Sequence, residues 1–544
     1  MSRKNICKTL LLVLLLTAPL CHRAVRSREQ TGRTVAAAEI TYAKDVAPIL
    51  NRHCVACHRP DNVAPMSLLT YGDAVAFAER IREKVAAREM PPWHADARFG
   101  EFANARVLDA AEIDKIIAWV KGGAKEGDRR DTPPARVFSE KWEMGAPDAV
   151  FKMAAPYALG TEAIDTYVYF RLPTNFAEDR WVQAVEFRPG NRKVVHHAVA
   201  FIETPEQYAA AIRDRRGQGE TPERSDKSVW TLLDSKPSAL EVMDGTTRRI
   251  KPEVGVVNDG CAAPDVEAVG TGSANLILSV YAPGRGVDVW PAGAAKKIPA
   301  GSNLILQMHY SKPDGETARD ATSVALTFAR APVKKVINTR SINNVLFEIP
   351  PGEKDHRVTA CWDIGREVEL LNFMPHMHVR GKSMRYEAAT PDGARRTLLF
   401  VPHYDFHWQT LYTLRRPLVV PGGTRLLVTA YFDNSADNMH NPDATKSVRH
   451  GSATFDEMMI GFVDYAVPKP RDPVASPLDA KSYDAYVGRY AYGDTITQSV
   501  IKIGEKLYLE ANGQRAELLP TSETTFTLKE AELTFLKNEE GKII

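Results

Sequence analysis

The hydrophobic period of the chain changes near residue 140, and this change bounds the fold. Before it, apolar residues recur at helical spacing. Tyr42 to Leu50 is short and amphipathic, Ala74 to Ala87 is rich in Ala, Arg, Glu and Lys, and Ala111 to Val120 carries Ile113, Ile116, Ile117 and Val120 on one face. Gly122 and Gly123 stop the last of these helices. A charged, Pro-containing stretch from Glu126 to Arg136 reads as a linker. Beyond it, short apolar and aromatic runs alternate with Gly, Pro, Asn and Asp clusters, as in Val194 to Ile202, Leu304 to Tyr310, Val368 to Met374 and Arg425 to Phe432. That spacing predicts antiparallel sandwiches. Tyr483 to Ile544 alternates again and reads as a separate small β-domain. At roughly 150 residues per domain, a chain of 544 residues holds about three or four domains.

The charge balance is 70 Lys+Arg against 68 Asp+Glu, so no strong field steers nucleic acid or an anionic membrane. No apolar run reaches the about 18 to 20 residues of a spanning helix, which argues against a transmembrane span. Arg3, Lys4 and Lys8 precede an apolar stretch from Thr9 to Leu20 that suits the core of a secretory signal. Export is therefore expected, with cleavage loosely placed at Ala36-Ala37-Ala38. Acylation of Cys21 as a lipoprotein is disfavoured because Leu20 stands where a small residue is expected. Of six cysteines, Cys7 and Cys21 lie in this segment, Cys54 and Cys57 in a motif described next, and Cys261 and Cys361 remain. An exported chain can pair the last two; two buried free thiols in separate domains are the alternative.

Cys54-Val55-Ala56-Cys57-His58 is a C-x-x-C-H motif. Its thiols can add across haem vinyl groups while the adjacent imidazole becomes an axial ligand. The opposite ligand has to come from later in the helical region, where Met66, Met90 and His94 are candidates. Met90 is favoured because Pro91-Pro92-Trp93 would hold its backbone rigidly. With Ser67-Leu68-Leu69-Thr70-Tyr71 and Gly100-Glu101-Phe102-Ala103-Asn104, this region resembles single-haem cytochrome c domains fused to bacterial periplasmic enzymes. The resemblance implies Met90 as sixth ligand and the bacterial periplasm as location.

His196-His197 lies in one strand-like run and His309 in another. Taken singly, each is more readily a hydrogen-bonded structural histidine than a ligand. Adjacent strand residues point to opposite faces, so His196 and His197 can share an ion only if the strand bulges or breaks. His376-Met377-His378 has the i, i+2 spacing that puts two imidazoles on one face. Farther along, Asp456-Glu457-Met458 offers a thioether, which favours Cu(I) over zinc.

Together these segments resemble the copper type II ascorbate-dependent monooxygenases, the family of peptidylglycine α-hydroxylating monooxygenase and dopamine β-hydroxylase, over about residues 140 to 470. Residue by residue, the resemblance implies that His196, His197 and His309 hold the copper that passes electrons. It implies that His376, His378 and Met458 form the catalytic centre, holding the copper that binds oxygen. Gln307, two before His309, agrees. The family fold is two consecutive jelly-roll-like β-sandwiches with a solvent-filled cleft between them. Amidating members hold a peptide carboxylate with Arg, Asn and Tyr where this chain has Met374, Ile460 and Phe462, so a less polar substrate is expected. His403, His407, His440 and His450 have no matching role and read as structural or surface residues. The tail around Tyr486-Val487-Gly488-Arg489-Tyr490 weakly resembles a lipocalin-like domain appended to some secreted hydrolases, and reads as truncated at Ile544.

The expected fold is multidomain: a signal peptide at 1–38, an all-α cytochrome c domain at 40–127, a linker at 128–140, β-sandwiches at 141–335 and 336–470, and a small β-domain at 480–544. The expected function is hydroxylation of a C–H bond of a small-molecule substrate with O₂, using two copper ions and covalently attached haem c. Electrons would come from the fused haem, from ascorbate as in the family, or from an external donor. The competing reading is a non-catalytic periplasmic electron-transfer or copper-binding protein. A zinc hydrolase on three histidines is disfavoured by Met458.

Overall fold

A computed structural model describes residues 39–138, 141–161, 165–209, 229–231, 256–261, 277–312, 315–451, 453–469, 478, 480–492, 496–511, 514–528, 531–538, 540 and 542–543. The expected signal segment, with Cys7 and Cys21, lies outside them. The described chain is mostly β-sheet, with helices concentrated before residue 131. Among the described residues, no helix is long and apolar enough to cross a membrane.

A π-helical turn, Tyr42–Val46, runs into the helix Ala47–His53. The expected helix from Ala74 to Ala87 is two helices, Tyr71–Ala76 and Ala78–Ala86, broken at Phe77. Ala74, Ala78, Ile81 and Val85 stay on one buried face across the break, so the pattern reads as continuous. The start falls earlier because Thr70 and Asp73 form a reciprocal cap, each side chain bonding the other's amide at 3.1 Å. Asp109 and Glu112 do the same for the helix Ala110–Lys121, which ends at Gly122. Ile116 and Trp119 from that helix meet Leu50 and Val55 in the core.

Residues 93–104 leave this helical unit and lie on the second sandwich. Ala103 N donates to Thr413 O at 2.8 Å, Arg415 N to Glu101 O at 2.8 Å, and Asp96 N to Phe400 O at 2.8 Å. Phe102 is buried in the second sandwich's core, edge-on to Trp93 and Tyr412. Burying one such phenylalanine stabilises by about 1.5–3 kcal/mol. The stretch expected within a self-contained helical domain is thus shared between two units.

In the first sandwich, one antiparallel sheet runs Val229–Thr231, Asp165–Pro173, Asn303–Ser311, Val195–Glu203, Ile277–Tyr281. Asn303–Ser311 is buried on both faces. Leu304, Leu306, Met308 and Tyr310 fill the sandwich core, while Ile305 faces the second sandwich. The opposite sheet reaches Ala294–Ile298, which pairs in parallel with Lys335–Asn343 and so continues through Ile460–Pro468, Val368–His376 and Tyr412–Val420 of the second sandwich. One nine-stranded sheet therefore spans both sandwiches. His356–Ile364, Thr424–Phe432, Gly381–Ala389 and Arg395–Val401 complete the second.

Between the sandwiches, Tyr169, Phe201, Ile277, Val280, Ile305 and Met374 form one buried apolar cluster with Leu411 and Phe462 packed against it. Over this stretch the facing positions are apolar, and burying them together is favoured over hydrating them. Cys261 and Cys361 form a disulfide, Cα to Cα 5.3 Å. Its arm, residues 256–261, lies on the second sandwich, with Gly260 N donating to Thr359 O at 3.1 Å. At the tail, six strands from Gly488–Tyr492 to Ala531–Thr534 pair in sequence order around Val500, Leu507, Leu518 and Phe526.

Lys296 of the first sandwich sends its ammonium into the second, 3.1 Å from Asp464 Oδ1 and 2.8 Å from Thr339 Oγ1. Asn372 Nδ2 donates to the other Asp464 oxygen at 2.9 Å. Burial pushes the Asp464 pKa up, but the Lys296 charge and the bonds from Thr339 and Asn372 outweigh it and hold the carboxyl below its usual range. Asp464→Ala leaves Lys296 buried without its counter-charge and is expected to cost about 3–5 kcal/mol in urea unfolding. The native contribution is full above the unfolded aspartate value of about 4. It is lost as pH falls through the lower folded value. The gap between wild type and variant should therefore narrow in acid; a constant gap would place the stabilisation elsewhere.

Candidate metal centre

The first histidine set is made by a surplus residue. Asn303–Ser311 pairs with Val195–Glu203 in regular register as far as His309 opposite His197, and Tyr310 then faces Val195. His196 is the extra residue of a β-bulge, and the bulge lets two consecutive side chains reach one side. The three Nδ1 atoms form a near-equilateral triangle: His196 to His197 3.2 Å, His196 to His309 3.2 Å, His309 to His197 3.3 Å. An atom at its centre would lie about 1.9 Å from each nitrogen, the triangle edge divided by the square root of three, close to the about 2.0–2.1 Å of a zinc–imidazole bond. Three ring nitrogens converging on one point are an arrangement that a bound cation would satisfy. Burial, then the charges of His309, His196, His376 and His378, holds His197 well below the imidazole range, so it stays in the neutral, ligating form. Tyr167 stacks on His309 at 4.1 Å, and Gln307 donates to the Tyr169 hydroxyl at 2.8 Å.

The second set begins where Val368–His376 ends. His376 and His378 lie with ring centres 5.4 Å apart and planes at 89°. His378 Nδ1 donates to Asp456 O at 3.1 Å, and His376 Nδ1 lies 2.8 Å from Gln409 Oε1. Both bonds commit Nδ1 as donor and leave Nε2 with a lone pair for a ligand. Burial drives both pKa values down, to about 4 for His376 and about 3 for His378. Met458 is buried beside the fully buried Glu457. The Glu457 carboxylate accepts from His378 N at 2.8 Å, Arg380 N at 2.7 Å and Met458 N at 3.2 Å, tying the His378 turn to the thioether residue. Burial pushes its pKa up to about 8 against these bonds. The Arg380 side chain is held by Asn434, Asn441 and Phe455 O.

Phe406 touches both sets, its ring 5.3 Å from His196, 6.2 Å from His309 and 6.0 Å from His378. Phe406 and Gln409 carry no signal in the sequence because their loop has no periodicity, and His407 and His450, expected as structural or surface residues, lie close to the two sets. His407 lies 5.7 Å from His196. Half-buried His450 stands close enough to His376 that desolvation and His376 together lower its pKa to about 4.

In the helical unit, His58 Nδ1 lies 3.3 Å from Met66 O, which leaves Nε2 outward. Cys54 and Cys57 are free thiols, and burial pushes Cys54 up to about 12. Met90 lines a cavity of about 250 Å³ with Val85, Trp93, Leu108 and Ile113. His94 instead lies near Asp405 and His403 of the second sandwich. The motif abuts the first sandwich: Asp61 pairs with Lys193 at 3.2 Å, and a Cβ at Gly284 would stand 3.1 Å from Cys57 Sγ.

Residues 336–486 match the family described as copper type II ascorbate-dependent monooxygenase, C-terminal domain. The match supports a copper-dependent oxidoreductase of the monooxygenase type. Penicillin-binding protein 4* of Bacillus subtilis (strain 168) is 43% identical over 67 residues, which is 12% of this chain. The chain spans about 15% of that relative's length. Among solved structures, the major capsid protein P2 of bacteriophage PM2 has a TM-score of 0.21 at 8% identity, covering 60% of this chain and 98% of its own. The VP2 subviral particle of infectious bursal disease virus has a TM-score of 0.15 at 10% identity, covering 62% and 75%. Neither structural likeness carries an argument about fold or function.

Glu457→Ala strands three amide donors in a buried site. It is expected to lower stability by about 3–5 kcal/mol in denaturant unfolding, with Glu457→Gln costing clearly less because one acceptor oxygen survives. Equal costs for the two variants would show that the carboxylate does not tie the two segments.

Proposed function

We propose that this protein is a copper-dependent monooxygenase that hydroxylates a C–H bond of a weakly polar small molecule, reducing the second oxygen atom of O₂ to water. The carrying observation is the triangle of His196, His197 and His309, whose size and chemistry fit one metal ion. It stands beside a second set, in a segment matching a copper monooxygenase domain. His196, His197 and His309 would hold one copper, and His376, His378 and Met458 the other. The thioether of Met458 favours copper over zinc. When bound, the coppers supply one-electron transfer and O₂ activation. The chain's own work is to hold neutral imidazoles in fixed tautomers and to exclude water with Phe406 and the apolar cluster at Met374 and Phe462. Among the described residues, Met374 sits in an apolar cluster, which supports a less polar substrate.

The C-x-x-C-H motif of Cys54, Cys57 and His58 supports a covalently attached haem, with Met90, which lines a cavity of the helical unit, as the expected opposite ligand, and this in turn supports an exported, periplasmic protein. A haem there would supply a one-electron store. Its position favours internal delivery: the Asp61 to Lys193 contact puts the motif's loop against the chain three residues before His196. Ascorbate or an external donor would then reduce the haem or serve in its place.

Metal analysis should find two coppers and one haem iron per chain. His378→Ala should lose one copper and abolish O₂ uptake and product formation across a panel of apolar and aromatic small molecules, while leaving haem reduction intact; full turnover would overturn the oxygen-site assignment. In rapid mixing of pre-reduced haem with oxidised copper, haem reoxidation should collapse in His309→Ala. Reoxidation indifferent to that change would assign the haem to another partner.

A further inference from the structure

We propose that His407, Met439 and His440 form a surface site that captures Cu(I) and passes it to His196, and through it to His197 and His309. This rests on the reading that those three histidines hold copper. His197 and His309 are buried, at 4% and 1% exposure, whereas His196 is only partly covered. His196 is therefore the least covered of the three, and the proposed route enters on its side. On that side stands His407, its ring 5.7 Å from His196 and 6.1 Å from His440. Rings within the two candidate centres are 4.6 to 5.4 Å apart. Two imidazoles sharing an ion at about 2.0–2.1 Å through nitrogen place their ring centres up to about 6 Å apart. Both gaps are thus near the reach of a shared ion, and His407 stands between donor and acceptor.

Met439 supplies the metal preference. It is 88% exposed, although a methionine ordinarily fills core space. A solvent-facing thioether next to an imidazole is a soft donor pair suited to Cu(I). Met439, His440 and His407 open on one cavity of about 790 Å³, between Trp93 and His94 of the 93–104 strap and Tyr404 of the second sandwich. Asx bonds set both histidines: Asp405 Oδ1 accepts from His407 N at 2.9 Å, and Asn438 Oδ1 from His440 N at 3.0 Å. Among the described residues neither ring makes a hydrogen bond, so both are available to an ion. Transfer needs no redox partner. A bond to Met439 or His440 breaks as one to His407 and then His196 forms, and the ion remains Cu(I).

The test follows Cu(I) uptake by the full-length, haem-loaded, copper-free protein from a coloured Cu(I)–chelator complex, as loss of the complex's absorbance. The triple variant His407→Ala, Met439→Ala, His440→Ala should fill at least tenfold more slowly yet reach the wild-type copper content. Met439→Leu, which keeps the side chain's bulk, should also slow uptake, and His403→Ala on the same cavity should not. Wild-type rates in the triple variant, or equal slowing by His403→Ala, would overturn the capture site. If His309→Ala takes up as much copper as wild type, the parent reading of the three-histidine set fails instead, an outcome visible in final content and not in rate.

Discussion

The Val195–Glu203 strand carries one residue more than its partner between Val195 and His197, and the site geometry follows from that surplus. In a regular ladder His196 would point into the first sandwich's core, among Leu306, Met308 and Tyr310. An imidazole there would be desolvated without a partner. The bulge gives up one regular pairing and turns His196 beside His197 and His309. The gain is three ring nitrogens within 3.3 Å of one another, a spacing that suits one metal ion.

Such a set has value only if the second set is held opposite it, and four ties do so. Ala294–Ile298 pairs in parallel with Lys335–Asn343. Lys296 reaches Asp464 across the same junction. The arm bearing Cys261 is bonded to the second sandwich through Cys361. Residues 93–104 carry Phe102 from the helical unit into the second sandwich's core. The helical unit is therefore built into the sandwich pair and does not hang from a linker. The same strap walls the cavity beside His407, so the unit with the C-x-x-C-H motif also shapes access to the histidines.

Much of this was legible in the chain. The change of period near residue 140, the strand runs, the C-x-x-C-H and the His-His, His and His-x-His spacings each report local constraints of one or a few turns or pleats. The need for a bulge at His196 was legible too, because strand geometry forbids adjacent side chains from sharing a face. The break at Phe77 was not, because the buried face runs through it unchanged.

What the sequence determined by itself is the kind of donors, their order and the elements carrying them, since these depend on residue type and near-neighbour periodicity. Tertiary structure alone decided the distances. Phe406 lies between the two sets, His407 stands next to His196, Glu457 binds the amides of His378 and Met458, and an apolar cluster packs between the sandwiches. The physical reason is that each of these contacts joins segments far apart in the chain. Their geometry is set by how two curved sheets pack and by which buried charges find partners, and no local pattern encodes either.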